Sequence, residues 1–255
     1  MLPRLFLHST ALILFTISPY IYAETTTENT TGQFSGNIGL VSQYIYRGGV
    51  ENDDLAIQGG LEYAHRSGVR VGYWGSTLDY DLTDSEGDFG FEHDFYVAYG
   101  QQLNDNWAYD LKTTAYVYHK GGTVSSEQDE TRKTTAVDVT GGLSYKNLSL
   151  AMSVMLNDAS FANAGDTYLS ASYQYPLPHD FAINTTVGAS IYNDNNDDSL
   201  LETHEHVVFS EARVGLSKTF APTGLSANLD YIYGGENRLG EDLDEYVVLG
   251  LNYVF

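Results

Sequence analysis

Ten ionisable residues fall within segments that otherwise alternate apolar and polar side chains, and all ten lie on one side of that alternation. They are Glu62, Arg70, Glu92, Asp94, Asp110, Lys112, Asp138, Glu211, Arg213 and Asp230. The other side, for example Phe95, Val97 and Tyr99, carries no Asp, Glu, Lys or Arg in the middle of any segment. Charged side chains gathered on one face can line a water-filled passage, and acidic rings favour cations in pores. A second interpretation is that these groups pair and only hold the interior together.

Residues that could support catalysis or metal binding show no informative arrangement. Serine is scattered, no Gly-x-Ser-x-Gly elbow occurs, and no Ser and His share a spacing typical of a nucleophile and its base. His204 and His206 would share a strand face, but spacing fixes no third metal ligand. His93 and His119 suit polar strand ends better than ligand positions. We expect no enzyme activity, no catalytic residue, no cofactor and no metal site.

The elements that carry the ten residues have a period of two. Leu148, Leu150 and Met152 share one face of a strand, while Ser149 and Ser153 share the other. Twelve such strands are predicted, at 34–46, 55–66, 69–80, 90–103, 107–119, 134–146, 148–157, 167–176, 181–192, 206–219, 225–234 and 245–255. Their usual length of about ten residues suits a tilted crossing of the hydrocarbon layer. Strands of soluble proteins are nearer about five or six residues.

The connections between the predicted strands alternate in length. Short turns are expected at 67–68, 104–106, 146–147, 176–180 and 221–224, and long, acidic loops at 47–54, 81–89, 120–133, 158–166, 193–205 and 235–244. This asymmetry is typical of outer-membrane barrels, which have short periplasmic turns and longer extracellular loops. Together with strand length, it predicts an all-β fold, a transmembrane antiparallel up-and-down β-barrel of about twelve strands. Its uncharged face would then meet lipid, because a charge there costs about 2–4 kcal/mol.

Aromatic residues near the strand ends predict where the barrel meets the membrane surface. On the lipid-facing side these are Tyr44, Tyr46, Tyr63, Trp107, Tyr109, Tyr145, Tyr173, Tyr175, Tyr231, Tyr233 and Tyr253, which resemble two interfacial girdles. Arg47 follows Tyr46 at the predicted end of the first strand. It could bind an anionic lipid headgroup or brace the mouth of the barrel, and bracing is the favoured interpretation.

The first residues predict export. Arg4, a short apolar run and a final Ala23 are typical of a cleaved secretory signal peptide at 1–23. A short disordered segment at 24–33 and a barrel domain at 34–255 would follow. Loss of Arg4 leaves 11 basic and 34 acidic residues, so the net charge is 11 minus 34, or −23. Such a chain would repel phosphates, which argues against a nucleic-acid partner.

The last strand ends in alternate apolar residues that lead to an aromatic residue. Val247, Leu249, Leu251, Tyr253 and Phe255 resemble the signal by which outer-membrane barrels are recognised for assembly. The expected partners are therefore the barrel-assembly machinery, outer-membrane lipid, and small ions or polar solutes.

Motifs in the first third of the chain resemble a known family. The matching runs are Leu40-Val41-Ser42-Gln43-Tyr44-Ile45-Tyr46-Arg47-Gly48, then Ala56-Ile57-Gln58-Gly59-Gly60-Leu61-Glu62-Tyr63, then Ser67-Gly68-Val69-Arg70-Val71-Gly72-Tyr73-Trp74-Gly75-Ser76, then Glu92-His93-Asp94-Phe95-Tyr96. The chain resembles the TorF-type family of porin-like proteins, the Gcw-type conserved hypothetical outer-membrane proteins. The resemblance implies a porin role without catalytic residues. Thr77-Leu78 departs from the expected Asn-Val, and the loops are longer than usual.

A barrel of this size predicts a narrow channel. Twelve strands place the wall roughly 12 Å from the axis and leave a bore of a few ångströms. Small inward residues, including Ala98, Gly100 and Gly188, would help to keep the lumen open. We expect a bacterial outer-membrane channel for passive passage of ions and small polar solutes, with a preference for cations. The alternative is a non-conducting surface barrel whose acidic loops fold inward or bind a partner in an adhesive or structural role.

Overall fold

The alternating sequence folds into strands throughout the part of the chain that the structure describes. The computed structural model describes residues 31–81, 87–125, 131–194 and 201–255, so the predicted leader at 1–23 and most of the segment at 24–33 lie outside it. The strands are β1 (Gly32–Val41), β2 (Tyr44–Tyr46), β3 (Gly49–Asn52), β4 (Ala56–His65), β5 (Val69–Leu78), β6 (Gly90–Gln102), β7 (Trp107–Tyr118), β8 (Thr123–Ser125), β9 (Thr131–Lys133), β10 (Ala136–Tyr145), β11 (Leu148–Met155), β12 (Thr167–Leu177), β13 (Phe181–Ile191), β14 (Val207–Phe220), β15 (Leu225–Gly234) and β16 (Glu245–Val254). Across these ranges, no helix has the length and hydropathy needed to span a bilayer.

Twelve of these strands close into one antiparallel barrel. The order around the wall is β1, β4, β5, β6, β7, β10, β11, β12, β13, β14, β15 and β16, and β16 pairs with β1 to close it. Strands that follow one another along the chain are neighbours, so the topology is up-and-down. The predicted fold and the count of twelve strands are confirmed, and most predicted ends agree within two residues.

The first predicted strand is wrong at its C-terminal end. It was expected at 34–46, but β1 starts at Gly32 and leaves the wall after Val41. The chain then turns back on itself, and β2 and β3 form a separate two-stranded sheet. We call residues 44–52 the inner hairpin. Its two-residue turn has positive φ at both Arg47 (51°) and Gly48 (88°), the conformation of the tight hairpin turns that match the natural twist of strands.

The distribution of apolar and polar side chains is the reverse of that in a soluble protein. On β4 and β6, Leu61 and Val97 are 57% and 56% exposed on the outer face. On the inner face, Ser76 of β5 and Asp138 of β10 are fully buried. Soluble monomers rarely expose a continuous apolar surface, whereas a barrel in lipid must present one.

Aromatic residues stand at both rims of the outer face. Trp107, Tyr145 and Tyr173 lie exposed near the short turns, and Tyr231 and Tyr233 lie exposed near the opposite end. The girdle prediction is wrong for Tyr44 and Tyr46, which belong to the inner hairpin rather than to the wall.

Candidate functional site: the interior of the barrel

The structure places the ten ionisable residues on the inner face of the wall, nine of them in three groups and Asp230 in a cavity lining described below. Near the short turns, Arg70 of β5 contacts both Glu62 of β4, at 3.4 Å, and Asp110 of β7, at 2.5 Å. Tyr96 of β6 donates a hydrogen bond to Glu62 Oε2 at 2.9 Å. Lys112 lies over the Tyr96 ring, 5.7 Å from its centre. One guanidinium thus holds two carboxylates in a closed network.

A second group lies across the barrel on β12 and β14. The Tyr168 hydroxyl donates to Glu211 Oε1 at 2.6 Å, and Arg213 Nη2 contacts Glu211 Oε2 at 3.3 Å. A register shift between Gly188 and Ala189 of β13 leaves Ser210 of β14 as an extra residue in the pairing. Ser210 and Glu211 are consecutive yet both buried, so the bulge keeps Glu211 on the inner face.

The third group is acidic and lies toward the long loops. Glu92 and Asp94 of β6 and Asp138 of β10 are almost fully buried. One oxygen of each carboxylate has no hydrogen-bond partner among the described residues. Asp138 Oδ2 accepts from the Tyr116 hydroxyl at 3.0 Å and lies 3.7 Å from Arg47 Nη2. This side of the interior is therefore rich in carboxyl groups, each with one oxygen that is not used in a hydrogen bond.

The inner hairpin crosses the lumen and meets the opposite wall. The Arg47 guanidinium lies over the rings of Tyr46 and Tyr168, 4.8 and 4.6 Å from their centres. A Cβ at Gly48 would lie 2.3 Å from the backbone oxygen of Ser210, so only glycine lets the tip approach β14 this closely. Arg47 therefore braces the barrel, as favoured from sequence, but it does so from within the lumen and not at the end of a wall strand.

Contacts on several strands hold the base of the inner hairpin. Asn52 Nδ2 donates to the Thr77 carbonyl at 2.9 Å, and the Tyr80 hydroxyl donates to Glu51 Oε2 at 2.8 Å. Ile45 packs against Ile232 of β15 and Val248 of β16 in a small apolar cluster. The inner hairpin is thus fixed at its base, its middle and its tip.

The inner hairpin carries a titratable group, the Glu51 carboxyl, whose protonation affects how stably the hairpin is held in the lumen. Burial raises the pKa of the Glu51 carboxyl to about 7, the Tyr80 hydrogen bond opposes that shift, and the nearby Asp79 adds to it. Glu92 and Asp94 of β6 also lie within electrostatic reach of Glu51. The protonated form of Glu51 is therefore the one that suits the seated hairpin.

A cavity of about 50 Å³ remains between the inner hairpin and the wall. Its lining comprises Gly39, Val41, Gln43, Tyr44, Ile45, Gln58, Arg213, Asn228, Asp230, Ile232, Val248, Gly250, Leu251 and Asn252. These residues come from β1, β4, β14, β15, β16 and the hairpin segment. Two of the ten predicted residues, Arg213 and Asp230, line it; the others lie elsewhere on the inner face.

Inner tyrosines and glycines were the main features that the sequence prediction missed. A Cβ at Gly188 would lie 2.1 Å from the Tyr168 hydroxyl, and a Cβ at Gly72 would lie 2.1 Å from the Tyr96 ring. The expectation that Gly188 and Gly100 keep the lumen open is wrong, because Tyr168 fills the space at Gly188. At Gly100, a Cβ would lie 2.5 Å from the Asp110 carboxylate. A tyrosine in the polar phase of a strand, opposite a glycine, was the available signal.

The remaining candidate residues lie away from the lumen. His204 contacts Glu202 at 3.0 Å, and both side chains are exposed. Among the residues that the structure describes, no group of three or more His, Cys, Asp or Glu side chains could hold a metal ion. The residues of the predicted assembly signal, Val247, Leu249, Leu251, Tyr253 and Phe255, are exposed on the outer face of β16 and just beyond it.

A closed barrel with an apolar exterior and an ionisable interior defines the class, a β-barrel of the porin type of fold. Within this class, the chain belongs to the family described as "Bacterial protein of unknown function (Gcw_chp)", whose profile matches residues 25–239. This confirms the Gcw-type resemblance found in the first third of the sequence. No curated protein matches the chain.

Several solved structures are similar to this chain at low sequence identity. The KdgM porin in complex with disordered oligogalacturonate is 9% identical with a TM-score of 0.50, over 87% of this chain and 99% of that one. The NanC porin is 13% identical with a TM-score of 0.48, over 87% and 98%. The outer membrane channel DcaP of Acinetobacter baumannii is 13% identical with a TM-score of 0.39, over 88% and 97%. At 9% identity, the likeness to the KdgM porin shows the fold alone.

Proposed function

We propose that this protein is a porin-like channel of the bacterial outer membrane, through which ions and small polar solutes pass passively. The observation that carries the proposal is the inverted distribution of side chains, with exposed apolar residues outside and hydrogen-bonded, ionisable residues inside. An apolar exterior is stable only against hydrocarbon, and a polar interior can hold water. The same distribution supports a role for the ten inner-face residues in lining the passage.

The proposed channel prefers cations. Seven of the ten inner residues are acidic and three are basic. Arg70 and Arg213 are engaged by carboxylates of their own networks, while Glu92, Asp94 and Asp138 keep unused oxygens. Pairing therefore accounts for part of the inner charge, and the acidic excess would attract cations and repel anions.

Conductance across a planar bilayer tests the channel proposal. We expect current steps with refolded protein, and in a KCl gradient a reversal potential of the sign set by K⁺. Asp138→Asn should move that potential toward zero, while Asp105→Asn, in an exposed short turn, should leave it unchanged. Anion preference in the unaltered protein would contradict the cation proposal.

The same account gives the protein a location and partners. Residues 1–23 would direct export and be removed, and the barrel domain, expected at 34–255, begins in the structure with β1 at Gly32. The alternating C-terminal residues would be recognised by the barrel-assembly machinery, and the exposed outer face would contact outer-membrane lipid. Membrane fractionation tests this directly, because the mature chain should require detergent for extraction. Recovery as a free periplasmic protein would contradict it.

A second candidate function is a non-conducting barrel whose acidic loops bind a surface partner. The inner hairpin favours it, because this segment crosses the lumen from the end of β1 to Tyr168 and Ser210 on the opposite wall. A bilayer that stays silent after verified insertion of folded protein would support this candidate over the channel.

A further inference from the structure

The cavity beside the inner hairpin differs in chemistry from the rest of the interior. Its polar lining includes the carboxamides of Gln43, Gln58, Asn228 and Asn252. Its two charged side chains, Arg213 and Asp230, have opposite signs. The acidic residues Glu92, Asp94 and Asp138 lie outside its lining. The cavity is thus a nearly neutral, hydrogen-bonding compartment within an acidic barrel.

The hydrogen bonds of this lining are only partly used. Asn37 Nδ2 donates to Asn252 Oδ1 at 3.1 Å, and Asn228 Nδ2 donates to Asp230 Oδ2. Yet Asn252 Nδ2, Arg213 Nε and Asp230 Oδ1 have no partner among the residues that the structure describes. Buried polar atoms are normally satisfied, so these three unsatisfied atoms show that the side chains of the lining have hydrogen-bonding capacity to spare.

The size and the apolar part of the cavity restrict the solutes that it can hold. A water molecule needs roughly 10–15 Å³ of such space, so about 50 Å³ holds a few waters or a solute of a few heavy atoms. Ile45, Ile232 and Val248 form one side of the lining and would meet C–H groups. A charged solute would lose its hydration on entry, and the lining has no uncompensated charge of the opposite sign to offset that loss.

We propose that this cavity, defined by Gln58, Asn228, Asp230, Asn252 and Arg213, is a binding and passage site for small neutral polyols such as glycerol. A carboxamide donates and accepts at once, as a hydroxyl does, so each polyol hydroxyl can replace the water that it loses. The inference rests on the proposed channel function and names a class of solute for it. It also separates two routes of selection: the acidic wall acts on ions, and the carboxamide cavity acts on neutral solutes.

Proteoliposomes test the proposal with glycerol as the probe. Vesicles that contain the refolded mature protein should swell in isotonic glycerol several-fold faster than protein-free vesicles, and progressively more slowly in erythritol and glucose. Asn228→Leu and Asn252→Leu should each lower the glycerol rate at least five-fold while K⁺ conductance changes less than two-fold. The matched control is Asn184→Leu on the inner face of β13, outside the cavity lining, which should keep the glycerol rate.

The outcomes separate this inference from the proposed function. If the unaltered protein carries K⁺ current but admits glycerol no faster than protein-free vesicles, the polyol site is overturned and the channel stands. If all three Asn→Leu variants lose glycerol passage equally, the cavity has no special role and the inference is also overturned. If the unaltered protein carries neither current nor glycerol, the channel proposal itself fails.

Discussion

Removal of the inner hairpin should open the lumen. The perturbation replaces residues 44–52 with Gly-Ser-Gly. Gln43 Nε2 donates to Asp53 Oδ1 at the base of the hairpin, so the two ends are already close and a short linker can join them. The wall strands β1 and β4 pair along their whole length without the hairpin, so the barrel should still close.

The expected rise in conductance follows from the cross-sectional area of the lumen with and without the inner hairpin. A twelve-strand wall about 12 Å from the axis, with side chains covering half of that radius, leaves an open disc of roughly 110 Å². With the hairpin in place, we expect a constriction about one or two waters wide, or roughly 20 Å². Because current scales with area at fixed length, conductance should rise about five-fold. Loss of the Ile45 packing should cost about 1.5–3 kcal/mol of stability.

Single-channel recording in symmetric KCl measures the gain, and heat-modifiable electrophoretic mobility verifies that the variant is folded. The control removes the same number of residues from the connection between β7 and β10, which carries the short strands β8 and β9. In this connection Arg132 donates to the carbonyls of Ala159 and Ala162 in the neighbouring loop. That variant should keep the original conductance. A folded hairpin deletion with unchanged conductance would refute the assignment of the hairpin as the constriction.

Three further predictions concern pH, the inner network and the outer face. Burial raises the pKa of Glu51 to about 7, so the inner hairpin is most stable in its position inside the lumen at low pH and loses that stability as pH rises through 7. Conductance should therefore rise between pH 5 and pH 8, and Glu51→Gln should abolish this rise in bilayer recordings. Arg70→Met leaves two carboxylates, Glu62 and Asp110, without their cation and should lower stability by about 3 kcal/mol, measured as a lower midpoint in urea unfolding in detergent or lipid. Val97→Arg puts a charge on the exposed apolar face and should cost about 2–4 kcal/mol in the same assay, whereas no loss would contradict a lipid-facing surface.

The wall was predictable from sequence because each strand repeats one local rule. A period of two places Leu61 and Val97 outward and Asp138 inward, whatever the neighbouring strands contain. Short turns such as Ser67-Gly68 then fix which strands pair. The fold therefore follows from local pattern and connection length, which are both properties of the sequence alone.

The inner hairpin was not predictable from the same rule. Tyr44, Ile45 and Tyr46 continue the alternation of β1, so the pattern extends the strand. The sequence Arg47-Gly48 does carry a turn signal, but the inward direction depends on distant contacts with Asp138 and Tyr168. Pairings separated by about ninety residues or more leave no periodic trace in a single sequence.

Adjacent single-cysteine variants test the central claim most directly, because the chain contains no cysteine. Lys112 lies on the inner face of the wall, over the Tyr96 ring, and the residue before it, Leu111, is 53% exposed on the outer face. A charged, water-soluble methanethiosulfonate reagent should reduce the current through Lys112→Cys and leave that through Leu111→Cys unchanged. If both variants or neither respond, or if only Leu111→Cys responds, water does not pass through the interior of this barrel as proposed.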